Sequence, residues 1–142
     1  CYPGRHRDGV LAGFAAAGVS ADRVEFQGGL PFDPYLASYG RVDVALDPFP
    51  YGGGTTTCDA LWMGVPVVSV RGRTAVGRGG ASVLANVGLP DLVADDVDGY
   101  VRTAVALAAD RDRLRRLRAT LRERVAGSPL ADEGRFARDV EA

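Results

Sequence analysis

Lysine is absent from these 142 residues, so all 17 cationic side chains are arginine. Together with abundant alanine, glycine, valine and aspartate, that is a composition bias rather than a chemical signal. No charge of one sign dominates: 17 cationic side chains face 18 acidic ones, giving a net charge of -1 and a pI near 5.8. There is no global positive field to hold nucleic acid or an acidic membrane surface, so neither is the expected partner. Two cysteines, Cys1 and Cys58, show no CxxC or Cys/His spacing. They form neither a disulfide framework nor a structural zinc site, and they fit a reducing, cytoplasmic compartment. The single histidine, His6, stands in a polar, arginine-flanked start and reads as a surface residue rather than a general base. No apolar run approaches the roughly 20 residues of a membrane-spanning helix. Cys1-Tyr2-Pro3-Gly4 lacks the charged start and apolar run of an export signal. The expectation is a soluble protein with no nucleic-acid or membrane partner.

What is present is ordinary globular composition, 46% hydrophobic and 25% charged, enough for one domain with one core. Apolar positions Val10, Leu11, Phe14, Ala15 and Ala17 predict a helix over 7–17, with Gly18 at its C-terminal cap. Val24-Glu25-Phe26 and Val42 to Leu46 read as strands. Thr55 to Met63 reads as a helix closed by Gly64, and Val65 to Val70 as a strand buried on both faces of a parallel sheet. A helix over 80–87 ending at Gly88, a short strand at Leu92-Val93-Ala94, and helices over 97–109 and 111–125 complete the pattern. Asp95 or Asp96 is the candidate N-cap of the first of those last two helices.

Strands alternating with helices, with no hairpin signals, predict an α/β fold: a partial Rossmann-like parallel sheet with flanking helices, followed by C-terminal helices. Three or four strands are fewer than the five or six of a doubly wound nucleotide domain. With a start at Cys1 in what reads as the tail of a loop, this leads us to expect a fragment whose upstream part is missing.

In open α/β sheets ligands bind beyond the carboxyl ends of the strands, and Leu46 to Thr57 lies at such an end. Gly52, Gly53 and Gly54 let the backbone approach a ligand, while Thr55, Thr56 and Thr57 offer N–H groups and hydroxyls at a helix start, where phosphate oxygens are favoured. Asp59, one turn later, could accept hydrogen bonds from ribose hydroxyls. The segment lacks both the Gly-Lys-Ser/Thr of a Walker loop and the GxGxxG spacing of a dinucleotide fold. From spacing alone, an ordinary loop with a threonine capping the helix remains an equal alternative.

The stretch from Val42 through Asp47-Pro48-Phe49-Pro50-Tyr51-Gly52-Gly53-Gly54-Thr55-Thr56-Thr57-Cys58-Asp59-Ala60-Leu61-Trp62-Met63-Gly64 to Val68 resembles the catalytic region of the protein O-linked N-acetylglucosamine transferases, including their bacterial and SPINDLY-type relatives. The resemblance continues through Gly77-Arg78-Gly79-Gly80-Ala81-Ser82, Val87 to Ala94 and Ser128-Pro129-Leu130. It implies that residues 1–142 are the C-terminal, nucleotide-sugar-binding lobe of a GT-B glycosyltransferase, lacking the N-terminal lobe and any TPR repeats. Such an enzyme transfers GlcNAc from UDP-GlcNAc to a Ser or Thr hydroxyl of a polypeptide with inversion, without metal or other cofactor. Helix-end charge would stabilise the departing diphosphate. By resemblance Thr55 and Thr56 match the phosphate-binding pair, flanked by Gly53 and Gly54, Asp59 the ribose-binding acid, and Leu30 and Pro31 the backbone that reads uracil. Animal members carry histidine where Gly54 stands, and basic residues where Phe32, Tyr35 and Ser38 stand. The family's catalytic histidine and diphosphate-binding lysine have no counterpart here and are expected upstream. Alternatives are a GT-B transferase with another sugar or acceptor, and a non-catalytic nucleotide-binding module.

Arg78, ahead of the helix start at Gly79-Gly80, could meet a second anion, or that start could hold a sheet-end carboxylate; structural pairing of Arg78 is the favoured reading. Trp62 and Met63 read as core rather than ligand-stacking residues, and Cys58 as a packed side chain without a base to activate it. Arg111 to Arg124 read as a solvated helix face with Asp110, Asp112 and Glu123 as partners, or as a surface that docks onto the missing lobe.

Overall fold

The computed structural model describes residues 4–141. The chain divides into two compact units, Cys1–Tyr35 and Leu36–Ala142. In the first, helix α1 (Arg5–Ala16) buries no residue, and the Arg7 guanidinium stacks 4.5 Å from the centre of the Phe26 ring. Val24 is extended, as expected of a strand, yet residues 24–30 belong to no β-ladder. The predicted strand at Val24–Phe26 is therefore absent among the described residues, because β-prone residues make a strand only where a second strand accepts their hydrogen bonds. A short helix that sequence reading missed, α2 (Phe32–Ser38), covers the division between the units.

The second unit is built on a three-stranded parallel sheet of β1 (Ala45–Leu46), β2 (Val67–Val70) and β3 (Val93–Ala94), in that order. Ala45 lies opposite Val67, and Ser69 opposite Val93. Helix α3 (Thr55–Trp62) joins β1 to β2, and α4 (Gly79–Asn86) joins β2 to β3, so two βαβ units share the central strand. Helices α5 (Val97–Ala109), α6 (Arg111–Ala126) and α7 (Glu133–Glu141) follow. The α/β class read from alternating elements holds. β2 is buried at Val67, Val68 and Ser69, and Val65 just before it is buried too, as the continuous apolar run requires. β1 is shorter than expected: the Val42 N–H turns back to the Tyr39 carbonyl, and the Val42 carbonyl accepts from Arg118, so pairing with β2 starts only at Ala45.

Three helices end alike. After α1, α3 and α4 the chain passes through Gly18, Gly64 and Gly88 with φ of 77°, 80° and 73°. The following N–H returns to the carbonyl five residues back: Val19 to Phe14, Val65 to Ala60 and Leu89 to Leu84. This left-handed cap satisfies carbonyls that the helix leaves open, at a φ where glycine carries no Cβ penalty. At the other end, Asp96 caps α5 by accepting from the Gly99 N–H at 2.6 Å, and Asp110 caps α6 by accepting from the Arg113 N–H at 2.8 Å. The core gathers Leu61, Val65, Val68, Leu84, Leu92 and Leu121, each fully buried.

Candidate functional site

β1 ends at Leu46 and delivers the chain to Asp47, which is only 4% exposed. A carboxylate buried to that extent needs donors. Its Oδ1 accepts from the Gly53 N–H at 2.7 Å and its Oδ2 from the Ser69 hydroxyl at 2.6 Å. The Asp47 carbonyl accepts from the Tyr100 hydroxyl at 3.0 Å, and the Tyr100 ring meets Phe49 edge-on with centroids 5.5 Å apart. Burial, reinforced by the nearby Asp47 carboxylate, pushes the Tyr100 phenol up, so it stays protonated and donating. The loop over residues 47–54 is thus gripped from β2 and from α5.

The three consecutive glycines differ in what they allow. A Cβ at Gly53 would lie 2.7 Å from Thr56 Oγ1 and 2.8 Å from Thr57 Oγ1; one at Gly52 would lie 3.1 Å from Asp47 Oδ2; one at Gly54 would meet nothing within 4 Å. Gly53 is where the chain passes closest to the threonines. α3 then begins with Gly54 as its N-cap and no side-chain cap, so the capping threonine of the alternative reading is not found. The Gly54 carbonyl accepts from the N–H groups of Thr57 and Cys58, each at 3.1 Å. The N–H groups of Thr55 and Thr56 come too early in the helix to have an acceptor within it, and both residues are exposed. Here the helix dipole presents its positive end.

A second helix start arrives at the same place. A Cβ on Gly80 would lie 2.2 Å from Asp47 Oδ2 and 2.4 Å from Ser69 Oγ, so the carboxylate rests against the first turn of α4. A Cβ on Gly79 would lie 3.9 Å from the Gly53 carbonyl oxygen. The sheet-end carboxylate that the sequence allowed at this helix start is Asp47.

Gly53, Gly54, Thr55, Thr56, Thr57 and Asp59 are therefore grouped at the carboxyl end of β1 in one unit. Thr55 and Thr56 lie outward, Thr57 is 4% exposed with its hydroxyl close to Gly53, and Asp59 is half-buried one turn further on. A hollow of about 180 Å³ borders this end, lined among others by Tyr39, Leu46, Asp47, Thr56 and Thr57. Larger grooves of about 300 and 480 Å³ run along the arginine-rich α6, and neither is lined by the three consecutive glycines or by the threonines that open α3. Leu30 and Pro31 belong to the other unit. Leu30 is 43% exposed there, and the Pro31 carbonyl accepts from the Tyr35 N–H at 2.9 Å.

Arg78 is exposed and forms no ion pair among the described residues, which corrects the structural pairing favoured for it. Trp62 is not a core residue: it is 37% exposed and lies beneath the Arg122 guanidinium at 4.7 Å. Met63 and Cys58 are half-buried, and burial, with Asp59 adding, raises the Cys58 thiol above its ordinary value, consistent with an unactivated side chain. The arginines of α6 do more than face water. Arg113 pairs with Asp91, Arg115 with Asp112, and Arg118 reaches the Val42 carbonyl, while Asp110 caps backbone instead of pairing. His6 is exposed on α1. Among the described residues no group of three or more His, Cys, Asp or Glu could hold a metal, and no helix is long and apolar enough to cross a membrane.

Sequence reading missed the roles of Asp47, Ser69 and Tyr100. Ser69 carried a signal: one hydroxyl inside an apolar strand must find a partner, and a strand-end carboxylate is the natural one. Nothing in the spacing of α5 marked the Tyr100 hydroxyl.

Comparison with known proteins decides the family, since residues 2–140 match the profile of glycosyl transferase family 41. The chain belongs to glycosyl transferase family 41. Family-41 relatives include a probable UDP-N-acetylglucosamine-peptide N-acetylglucosaminyltransferase SPINDLY of Eustoma exaltatum subsp. russellianum, 48% identical over 75% of this chain and 12% of that protein. The Arabidopsis thaliana protein of the same name is 39% identical over 96% of this chain and 15% of that protein. A solved mutant of the Thermobaculum terrenum O-GlcNAc transferase superposes with a TM-score of 0.87 at 37% identity, covering 94% of this chain and 26% of that one. This family-41 chain therefore spans a small part of the length of the relatives it matches.

Proposed function

We propose that this chain is the donor-binding lobe of a family-41 transferase, which moves GlcNAc from UDP-GlcNAc to a Ser or Thr hydroxyl of a polypeptide with inversion and without metal. The names of its relatives support the donor and the acceptor. The observation that carries the reading is the start of α3, where exposed Thr55 and Thr56 follow a glycine held by Asp47, with no side chain occupying the cap. A diphosphate accepting from those N–H groups and hydroxyls gains from the positive helix end, which is worth about 0.3–1 kcal/mol at an exposed site. As the sugar bond breaks, charge grows on the leaving diphosphate, and the same preorganised dipoles stabilise it more than they stabilised the intact donor. Asp59, one turn along, is the acceptor for ribose hydroxyls. The exposed Arg78 is available to a second phosphate oxygen. The remaining lobe supplies the base and the polypeptide surface.

Calorimetric titration of UDP tests this reading. The Thr55→Ala, Thr56→Ala double variant should bind UDP on the order of tenfold more weakly than the wild type. Equal affinity would count against the phosphate site.

A further inference from the structure

Two helix starts converge on the end of β1, yet they are not equivalent. The start of α4 already has an anion against it, the Asp47 carboxylate, which lies so close that a Cβ on Gly80 would be 2.2 Å from Oδ2. Among the described residues, no side chain caps the start of α3 and no acidic residue stands in its first turn. A buried carboxylate beside a diphosphate is at first sight a handicap, because like charges repel strongly where water is excluded. Its surroundings answer that cost with a helix dipole and two donors, Gly53 N–H and Ser69 O–H, the latter from a residue 1% exposed.

Through its carbonyl Asp47 is held a third time, by the hydroxyl of Tyr100, which lies 53 residues along the chain. Loop, central strand and α5 all fix this one residue, and what it fixes in turn is the peptide of Gly53, next to the N-cap of α3.

Resting on the donor reading above, we infer that Asp47 is a positioning residue for the diphosphate. Its side chain occupies the space against the first turn of α4 and holds the Gly53 peptide in place, leaving the start of α3 open to the ligand, and Tyr100 holds Asp47 to that task. The role is one of placement, not of charge. An asparagine at position 47 keeps an oxygen for the Gly53 N–H and an amide that the Ser69 hydroxyl can accept from, whereas an alanine keeps neither.

The test compares UDP with uridine, which carries base and ribose but no phosphate, against the wild type, Asp47→Ala, Asp47→Asn and Tyr100→Phe. Hydrogen exchange of the Gly53 amide is followed in parallel. Asp47→Ala should weaken UDP about tenfold and Tyr100→Phe about threefold, with uridine unchanged by either. Asp47→Asn should stay within about twofold for both ligands, and Gly53 exchange should accelerate in Asp47→Ala but not in Asp47→Asn. UDP binding unaltered in Asp47→Ala, or UDP and uridine weakened in equal proportion, overturns the inference. If Asp47→Ala does not fold, Tyr100→Phe decides, and unchanged UDP affinity overturns the inference. Failure of the donor reading is distinguishable: the wild type would then bind UDP no better than uridine, and the inference would fall with it.

Discussion

A methyl group placed at Gly53 would be forced against two threonine hydroxyls, one of them on buried Thr57, while a methyl at Gly54 would meet nothing. Neither glycine has positive φ, so close approach rather than backbone freedom separates them. Gly53→Ala should cost about 1–3 kcal/mol, the usual penalty for overpacking, and Gly54→Ala less than about 0.5 kcal/mol, read as shifts in the urea midpoint. Spacing alone could not make this distinction, since three consecutive glycines look alike until the fold brings Thr56 and Thr57 back over the middle one. What the residues did disclose was the grouping of Thr55, Thr56 and Asp59 on one helix, because a period of 3.6 follows from local geometry. The partner of a buried carboxylate is a property of the tertiary fold. Tyr100 also carries a pH signature. Its phenol is raised in the folded state, so the neutral form is the one favoured by folding, and the stabilisation is complete below about pH 10, the ordinary tyrosine value. It is lost as pH rises through the raised folded value. Wild-type stability should therefore fall more steeply than that of Tyr100→Phe as pH rises above about 10, measured by denaturant unfolding at each pH.

At the scale of the element, helix ends were legible and strand pairing was not. Gly18, Gly64 and Gly88 follow apolar periodic runs, and each takes the left-handed conformation that closes a helix, because that chemistry is local. Val24–Phe26 has equally clear β character and forms no strand, because a ladder needs an acceptor that no local pattern supplies. α2 and α7 went unread for another reason: α2 is short, and neither helix buries a residue, so no core-facing run announced them. The stripe of α6 was visible at Leu114, Leu117, Leu121 and Val125, and Leu121 proves fully buried. Leu121→Ala removes a side chain from the centre of the core and should destabilise the protein by about 2–5 kcal/mol, seen as a lower urea midpoint with an unchanged slope. A loss below about 1 kcal/mol would mean that the site collapses around the gap.

At the scale of the whole molecule, the net charge of -1 says little about phosphate, because the positive charge proposed to hold it is partial, fixed and local to one helix start. That distinction bears on what the chain can do alone. The contacts proposed for the diphosphate, the loop over residues 47–54, α3 and the clasp at Asp47, all lie in one unit. Transfer also needs a group to take the acceptor proton, and three side chains with that chemistry are poorly placed for it. Asp47 is buried with both oxygens bonded, the Cys58 thiol is held protonated, and the single histidine is exposed on α1 of the other unit. A helix start can favour the departure of a leaving group, but it cannot accept a proton, so binding and turnover should separate in this chain. The purified 142-residue protein is expected to bind UDP while transferring no labelled sugar from UDP-GlcNAc to a Ser/Thr peptide. Label reaching the peptide with the 142 residues alone would place a working base within this chain and would overturn the division of labour argued here.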